Sequence, residues 1–375
     1  TDATGGVTVN LNITTSQSVN GGLGNDTLIS IENITGSYFN DYLTGNSKDN
    51  TLFGYYGNDK LYGSAGNDTL NGGLGIDTVG YAAATGGVSV DLNIDGSQLI
   101  GGGLGTDTLL SIENLIGSSF SDTLTGNNEA NTLNGDGGND TLIGGIGNDK
   151  IYGGSGHDTL MGDGGDDLLN GGSGSDTVSY RAFGGVTVDL NIISVQAVGG
   201  GAGNDTLIDV ENIIGSSFDD ILIGNSSHNT ISGNNGNDEI FGGVGVDTLN
   251  GDSGNDTIHG GAGTDTIDGG SGNDTASYIT ATGDVSVDLN IDGSQSIGGG
   301  SGADTLINIE NLTGSSFNDV LIGDSKNNIL NGGKGNDILN GGNGSDTVIY
   351  SSYESGVTVD LNITTSQSVN GGLGN

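Results

Sequence analysis

Aspartates recur every nine residues along much of this chain, and their spacing is regular enough to suggest a chemical role. Each closes a segment of the form Gly-x-x-Gly-x-Asp, and an aliphatic residue usually follows two positions later. Fifteen aspartates follow this rule: Asp59, Asp68, Asp77, Asp140, Asp149, Asp158, Asp167, Asp176, Asp238, Asp247, Asp256, Asp265, Asp274, Asp337 and Asp346. Carboxylate and main-chain carbonyl oxygens are ligands that hard cations prefer. The spacing therefore predicts a series of cation sites.

The nine-residue phase extends upstream of each run, through two nonapeptides in which glycines are fewer. The first ends in an aspartate, which we expect to be a ligand too, and the second ends in an asparagine, whose sites should be weak or absent. These residues are Asp41, Asp122, Asp220 and Asp319, and Asn50, Asn131, Asn229 and Asn328. A glutamate precedes each pair by nine residues, and a structural and a metal-binding role are both open for it. The glutamates are Glu32, Glu113, Glu211 and Glu310.

The elements that position these acids should be short strands. A nonapeptide with Gly at positions 1 and 4, Asp at 6 and an aliphatic residue at 8 predicts a six-residue turn followed by a three-residue strand. Two nonapeptides would form one flattened coil, with residues such as Leu142 and Ile151 pointing inward. Coils would then stack about 4.8 Å apart. Stacking brings Asp140 next to Asp158, which requires a cation between them, and a flexible all-oxygen ligand set favours calcium.

The composition leaves little else to stabilise a fold. Only 31% of residues are hydrophobic, 78 are glycine, and the net charge is −41. Such a chain lies near the disordered class, because it buries too little apolar surface to offset chain entropy. We therefore expect calcium to supply the missing stability, and the metal-free chain to be largely unfolded.

The same composition restricts the partners. With 47 acidic and 6 basic residues, the chain lacks the basic surface that binds nucleic acid and would be repelled by anionic lipid. No apolar run reaches the length of a membrane span and no leader is evident, so we expect an excerpt of a longer protein without membrane insertion. The absence of cysteine excludes disulfides and thiolate zinc sites. Calcium ions, and the chain itself end to end or laterally, are the expected partners.

Longer elements separate the arrays, as we call the runs of in-phase nonapeptides. These long elements extend from Asp77 to Asp122, from Asp176 to Asp220 and from Asp274 to Asp319. Each contains a tyrosine, an alternating Val-rich strand, a Gly-Gly-x-Gly-x-Asp turn and a phenylalanine. Those residues are Tyr81, Tyr180 and Tyr278; Asp107, Asp205 and Asp304; and Phe120, Phe218 and Phe317, with Tyr350, Asp26 and Phe39 in partial copies. The aromatic residues are expected to plug the array ends. These aspartates are out of register, so metal binding by them is an open question.

A longer repeat is visible when the two ends are compared. Residues 11–25 recur unchanged at 361–375, an offset of 350. We therefore expect five segments. Residues 1–81 contain an incomplete long element followed by an array, and residues 82–180 and 181–278 each contain a complete long element followed by an array. Residues 279–350 contain a long element with a short array, and residues 351–375 begin the next super-repeat. Length variation in whole nonapeptides is typical of a solenoid.

The nonapeptides resemble the Gly-Gly-x-Gly-x-Asp repeats of the repeats-in-toxin (RTX), or haemolysin-type calcium-binding, family. The resemblance implies an all-β fold, a right-handed parallel β-roll or β-solenoid with calcium-binding turns, here interrupted by wider strand-bearing coils. It also implies type I secretion and folding outside the cell. The in-phase aspartates match the family's side-chain ligands. Turn glycines match its main-chain ligands: Gly63, Gly66, Gly144, Gly147, Gly153 and Gly156. One ion per stacked pair gives roughly 7 to 15 calcium ions.

The leading hypothesis for function is a secreted calcium-binding structural module, such as a spacer, filament or surface-layer segment of a large bacterial extracellular protein. The alternative is the C-terminal calcium-folding secretion module of an RTX toxin, protease or lipase. An enzyme is not expected, since His157, His228 and His259 are isolated and no nucleophile motif is evident. The outward threonines of the arrays suit strands, and ice binding is a weaker explanation for them.

Overall fold

The structure is a computed structural model that describes residues 3–350 together with positions 359 and 361. The predicted start of a next super-repeat, 351–375, otherwise lies outside this range. All regular elements of the described range are β-strands, and it contains no helix that could span a membrane. The strands are Thr8–Asn10, Gln17–Ser18, Asn25–Asp26, Asn33–Thr35, Tyr42–Thr44, Thr51–Tyr56, Lys60–Tyr62, Thr69–Leu74, Thr78–Gly80, Ser89–Asp91, Ser97–Leu99, Thr106–Leu110, Asn114–Ile116, Thr123–Thr125, Thr132–Gly137, Thr141–Ile146, Lys150–Gly156, Thr159–Gly164, Leu168–Gly174, Thr177–Ser179, Thr187–Asp189, Gln196–Ala197, Asn204–Ile208, Asn212–Ile214, Ile221–Ile223, Thr230–Ser232, Glu239–Gly245, Thr248–Asn250, Ser253–Gly254, Thr257–Gly263, Thr266–Asp268, Ser271–Gly272, Thr275–Ser277, Ser286–Asp288, Ser294–Ser296, Ala303–Ile307, Asn311–Thr313, Val320–Ile322, Ile329–Asn331, Ile338–Asn340 and Thr347–Val348.

The chain forms two compact units. The first comprises Thr1–Val178, Ile193–Ala197 and Ala202–Val210. The second comprises Ser179–Ile192, Val198–Gly201 and Glu211–Asn375.

Parallel pairing eighteen residues apart builds the arrays of the first unit. On one face Thr132–Gly137 pairs with Lys150–Gly156, which pairs with Leu168–Gly174. The intervening strands Thr141–Ile146 and Thr159–Gly164 pair with each other on the opposite face. Successive nonapeptides therefore alternate between two sheets, and two of them complete one coil. This confirms the predicted all-β parallel roll.

The second unit repeats this arrangement. Glu239–Gly245 pairs in parallel with Thr257–Gly263 on one face. Thr248–Asn250 pairs in parallel with Thr266–Asp268 on the other. The eighteen-residue coil is therefore common to both units.

A thin aliphatic core fills each coil. Leu142, Ile151 and Leu160 are fully buried, as expected for position 8. The alternation of side chains along a strand directs these residues inward and their neighbours outward. Some ladders have the predicted three residues, as between Thr248–Asn250 and Thr266–Asp268. Others are longer, because turn positions 1 to 3 continue the main-chain pairing of strands such as Thr141–Ile146.

The aromatic residues of the long elements behave differently from one another. Tyr81 and Tyr278 are buried, in keeping with a plugging role. Phe120, Phe218 and Phe317 are exposed, and the expectation that they plug the arrays is wrong. A preceding serine explains the difference for Phe120: the Ser118 hydroxyl accepts a hydrogen bond from the Phe120 N–H at 3.1 Å and fixes a turn that leaves the ring outside.

The long elements also contain antiparallel hairpins, which the nine-residue pattern does not predict. Ser97–Leu99 pairs antiparallel with Thr106–Leu110, and Thr106–Leu110 pairs in parallel with the array strand Thr69–Leu74. The Gln98 side chain bonds the main chain of Asp91 at both its N–H, 2.8 Å, and its carbonyl, 2.9 Å. The hairpin strands Thr106–Leu110, Asn204–Ile208 and Ala303–Ile307 each pair in parallel with an array strand.

Candidate metal centres

The array aspartates form hydrogen-bonded stacks. The Asp140 N–H donates to Asp158 Oδ1 at 2.8 Å, and the Asp149 N–H donates to Asp167 Oδ1 at 2.8 Å. The same bond joins Asp59 to Asp77 at 2.7 Å. Alternate nonapeptides thus supply two stacks of carboxylates, one along each edge of the roll. The eighteen-residue spacing predicted this neighbourhood.

The second carboxylate oxygen of these residues is buried and has no hydrogen-bond donor within the described part of the chain. This is true of Asp59, Asp68, Asp77, Asp140, Asp149, Asp158, Asp167, Asp238, Asp247, Asp256, Asp265 and Asp274. Removing a charged oxygen from water without a partner is costly. A cation would remove that cost.

Position-1 glycines leave space beside these oxygens. A Cβ on Gly135 would overlap Asp140 Oδ2 and lie 2.6 Å from the carbonyl oxygen of Gly153. A Cβ on Gly153 would similarly overlap Asp158 Oδ2. A carboxylate and a main-chain carbonyl of the next coil therefore converge on one small space, which suits the oxygen ligands of calcium.

The six glycines matched to main-chain ligands are three position-1 and three position-4 residues. Among the position-1 glycines, the Gly153 carbonyl faces the unpartnered carboxylate of Asp140, whereas the carbonyls of Gly63 and Gly144 face the side chains of Asn50 and Asn131. The carbonyls of the position-4 residues Gly66, Gly147 and Gly156 lie under the position-4 glycine of the following layer, Gly105, Gly165 and Gly174 respectively.

Main-chain oxygens are required to complete any site. Across the residues that the structure describes, no three His, Cys, Asp or Glu side chains group as a metal cluster. A cation here would be held by stacked aspartates together with turn carbonyls, as in the Asp140 and Gly153 pair.

Burial changes the protonation of the stacked acids. It raises the pKa of Asp59, Asp68, Asp140 and Asp167 to about 7 and that of Asp238 to about 8. The main-chain N–H eighteen residues earlier opposes the shift, and neighbouring carboxylates add to it. The metal-free stacks therefore resist ionisation near neutral pH, and a bound cation would favour the charged form.

The first aspartate of each array has a different environment, although the sequence predicts a ligand there too. Asp122 Oδ1 accepts from the Val88 N–H and the Ser118 hydroxyl, both at 2.8 Å, and Oδ2 accepts from the Ser118 N–H at 2.5 Å. Asp41, Asp220 and Asp319 repeat these bonds with a valine and a serine. Protein donors thus saturate the carboxylates that the sequence equates with the array ligands.

The in-phase asparagines are also bonded to protein. Asn131 Oδ1 accepts from the Asn127 N–H at 2.7 Å, and its Nδ2 donates to the Glu113 carbonyl at 2.7 Å. Asn50, Asn229 and Asn328 make the equivalent bonds. The amide NH₂ therefore supplies a donor within the turn, in keeping with the expectation of weak or absent sites.

Two of the in-phase glutamates, Glu113 and Glu310, close array ends. Glu113 Oε2 accepts from the Asp77 N–H at 2.7 Å, and Glu310 Oε2 accepts from the Asp274 N–H at 3.1 Å. Lys326 pairs with Glu310 Oε1 at 2.6 Å. Glu113 and Glu310 thus take the acceptor position that an aspartate takes elsewhere in the stacks, and the structural and metal-binding roles both stay open for the in-phase glutamates.

The last array is the least enclosed. Asp337 is half-buried, and burial raises its pKa to about 6. Asp346 is exposed. The stacking bonds persist there, since the N–H groups of Asp319 and Asn328 donate to Asp337 and Asp346 at 3.0 Å. The two aspartates keep the geometry of the stacks with less desolvation.

The histidines are not members of the carboxylate stacks, although His157 and His228 lie within electrostatic reach of stacked aspartates. His259 stacks on Phe241 with ring centroids 4.2 Å apart, and burial lowers its pKa. The Nδ1 of His157 accepts from the Ser175 N–H at 2.9 Å. Both contacts are structural.

The family comparison matches the arrays. The model of the RTX calcium-binding nonapeptide repeat (4 copies) matches residues 31–54, 44–79, 116–151, 143–178, 214–249, 241–276 and 313–348. These segments cover 211 of the 375 residues. No curated protein sequence matches the chain.

Proposed function

Because this chain belongs to the RTX calcium-binding nonapeptide repeat family, a structural calcium-binding repeat, we propose that it is a secreted structural module that folds when it binds calcium. The observation that carries the proposal is the series of buried, unpartnered Oδ2 atoms stacked along the arrays. Asp140 and Asp158 present one such pair beside the Gly153 carbonyl. Bound calcium supplies the positively charged partner that these buried oxygens need.

In this proposal the residues of the arrays have three different roles. Stacked aspartates with an unpartnered Oδ2 bind the ions together with turn carbonyls, and the saturated carboxylates Asp41, Asp122, Asp220 and Asp319 hold the array starts in place without metal. Aliphatic residues such as Leu142 provide the thin apolar core. No residue is assigned a catalytic role.

The long repeat supports a spacer, filament or surface-layer segment. Residues 11–25 recur at 361–375, and near-identical tandem copies extend length, which is a mechanical property. Further 350-residue copies in the flanking sequence would support this role. A catalytic domain beside the arrays would instead favour the secretion module of a toxin, protease or lipase.

Circular dichroism of the full chain tests calcium-driven folding. At pH 8, where most of the stacked acids are ionised, we expect a β spectrum in millimolar calcium and a coil-like spectrum in excess chelator, because the carboxylates repel one another without metal. An unchanged β spectrum in chelator would refute the proposal. Light scattering in calcium tests end-to-end or lateral self-association, and a strictly monomeric particle would exclude it.

A further inference from the structure

Three aspartates of the long elements lie on the stacks although they are out of the nine-residue register. The Asp68 N–H donates to Asp107 Oδ1 at 3.0 Å across 39 residues, and the Asp265 N–H donates to Asp304 Oδ1 at 3.1 Å. Asp205 accepts the equivalent bond from the Asp167 N–H at 3.1 Å. Within the arrays the same bond spans eighteen residues. Each long element thus places an aspartate where the next nonapeptide would place one.

The surrounding turn reproduces an array turn as well. A Cβ on Gly105 would overlap the Gly66 carbonyl, as position-4 glycines do within the arrays. The Thr106 N–H donates to Asn67 Oδ1 at 3.0 Å, like the residue before the aspartate in array turns. The turn that carries Asp107 is therefore an additional layer of the first array, provided by a hairpin.

The space beside Asp107 contains buried oxygens without donors. Asp107 is 0% exposed, and the Oδ2 atoms of both Asp107 and Asp68 have no hydrogen-bond partner within the described residues. The hydroxyl of Tyr81, a residue that is 3% exposed, also has none and lies within electrostatic reach of both acids. Two carboxylates and a hydroxyl are thus enclosed together without a compensating charge.

The second unit shows the same grouping. Asp304 is 0% exposed, and its Oδ2 accepts from the Tyr278 hydroxyl at 3.2 Å. The Oδ2 of Asp265 has no partner within the described range. The recurrence of aspartate pair and tyrosine in two units shows that the grouping belongs to the repeat.

We propose that Asp107 with Asp68, and Asp304 with Asp265, form additional calcium sites that close the arrays, with Tyr81 and Tyr278 as the buried hydroxyls beside them. This inference rests on the proposed function. It extends the array that ends at Asp77 and the array that ends at Asp274 by one site each. A hard divalent cation suits the site, because all the side-chain ligands are oxygen atoms.

Asp26 provides a matched control. It closes the same Gly-Gly-x-Gly-x-Asp turn, and Asn25–Asp26 pairs antiparallel with Gln17–Ser18 as the other hairpins do. Asp26 is exposed, and no described array precedes it. It therefore has the sequence motif without the stack.

Native mass spectrometry of the full chain in saturating calcium tests the proposal by counting bound ions. Asp107→Asn and Asp304→Asn should each lose one ion, the double variant two, and Asp26→Asn none. Asparagine keeps an acceptor for the Asp68 or Asp265 N–H, and circular dichroism in calcium checks the fold. An unchanged count in the double variant, or an equal loss in Asp26→Asn, would overturn the proposal.

Tyr81→Phe provides a second test if Asp107→Asn does not fold. It leaves both carboxylates in place, and we expect the calcium concentration that half-fills one site to rise about threefold to tenfold, since a hydroxyl bond contributes about 1 kcal/mol. An unchanged calcium titration would overturn the proposal. If the wild-type chain binds calcium but the variants match it, only this inference fails. If the wild-type chain binds none, the proposed function fails with it.

Discussion

Replacing the position-4 glycine Gly156 by alanine should destabilise the first unit strongly. Gly156 has φ +138°, a conformation that side-chain-bearing residues rarely adopt, and its Cβ would overlap the Gly138 carbonyl of the coil below. The backbone conformation alone costs roughly 1–3 kcal/mol. The overlap adds to this, because relieving it separates main chains that pair as Ser155 with Gly137. We expect a total of about 3 kcal/mol or more.

Gly164 is a matched control in the next nonapeptide. It lies outside the left-handed region, and a Cβ there would meet nothing within 4 Å. Gly164→Ala should be neutral or stabilise by about 0.4–1 kcal/mol, because alanine restricts the unfolded chain.

Thermal unfolding in saturating calcium, followed by circular dichroism, measures the difference. At about 2–4 °C per kcal/mol, Gly156→Ala should lower Tm by about 6–12 °C, and Gly164→Ala should leave it near the wild-type value. Equal melting temperatures for the two variants would refute the reasoning that close stacking at position 4 requires glycine.

Three further predictions follow from the stacks. Asp140→Asn should lower the number of bound calcium ions. Asp122→Asn should keep that number and cost about 1–3 kcal/mol of stability, because both Asp122 oxygens accept protein hydrogen bonds. Native mass spectrometry counts the ions and melting curves measure the stability; an equal loss of ions in the two variants would contradict the assignment. Burial raises the pKa of acids such as Asp140 from 3.8 to about 7. Protonation therefore stabilises the metal-free fold fully below pH 3.8, and this contribution disappears as the pH rises through about 7. Circular dichroism without calcium should show β structure increasing from pH 8 to pH 4, and a coil at every pH would be inconsistent with this. Asn131→Asp replaces the donor to the Glu113 carbonyl by a carboxylate that faces the Gly144 carbonyl, as Asp140 faces that of Gly153, so the variant should bind one more calcium ion. Native mass spectrometry counts the ions, and an unchanged number would contradict the explanation for the weak asparagine sites.

The coil and its core follow from local pattern. The nine-residue period places an aliphatic residue such as Leu142 inside and a glycine-rich turn outside, and neighbouring coils then align at eighteen residues. Turn geometry and side-chain alternation depend on a few adjacent residues, so the sequence predicts them well. The predicted strand length of three residues is correct for strands such as Thr248–Asn250 and too short for others such as Thr141–Ile146, because pairing in the turns depends on the neighbouring coil.

The sequence by itself thus determined the roll, the stacked aspartates and the ion class that oxygen ligands favour. The tertiary structure decided which carboxylates are left without donors. Asp107 joins the stack of Asp68 from 39 residues away, and Asp122 accepts from the Val88 N–H 34 residues earlier, although its other donor residue, Ser118, is only four residues away. The reason is physical: a carboxylate binds whichever donor or cation the fold brings within about 3 Å, and for Asp107 and for Oδ1 of Asp122 that includes a partner distant in sequence.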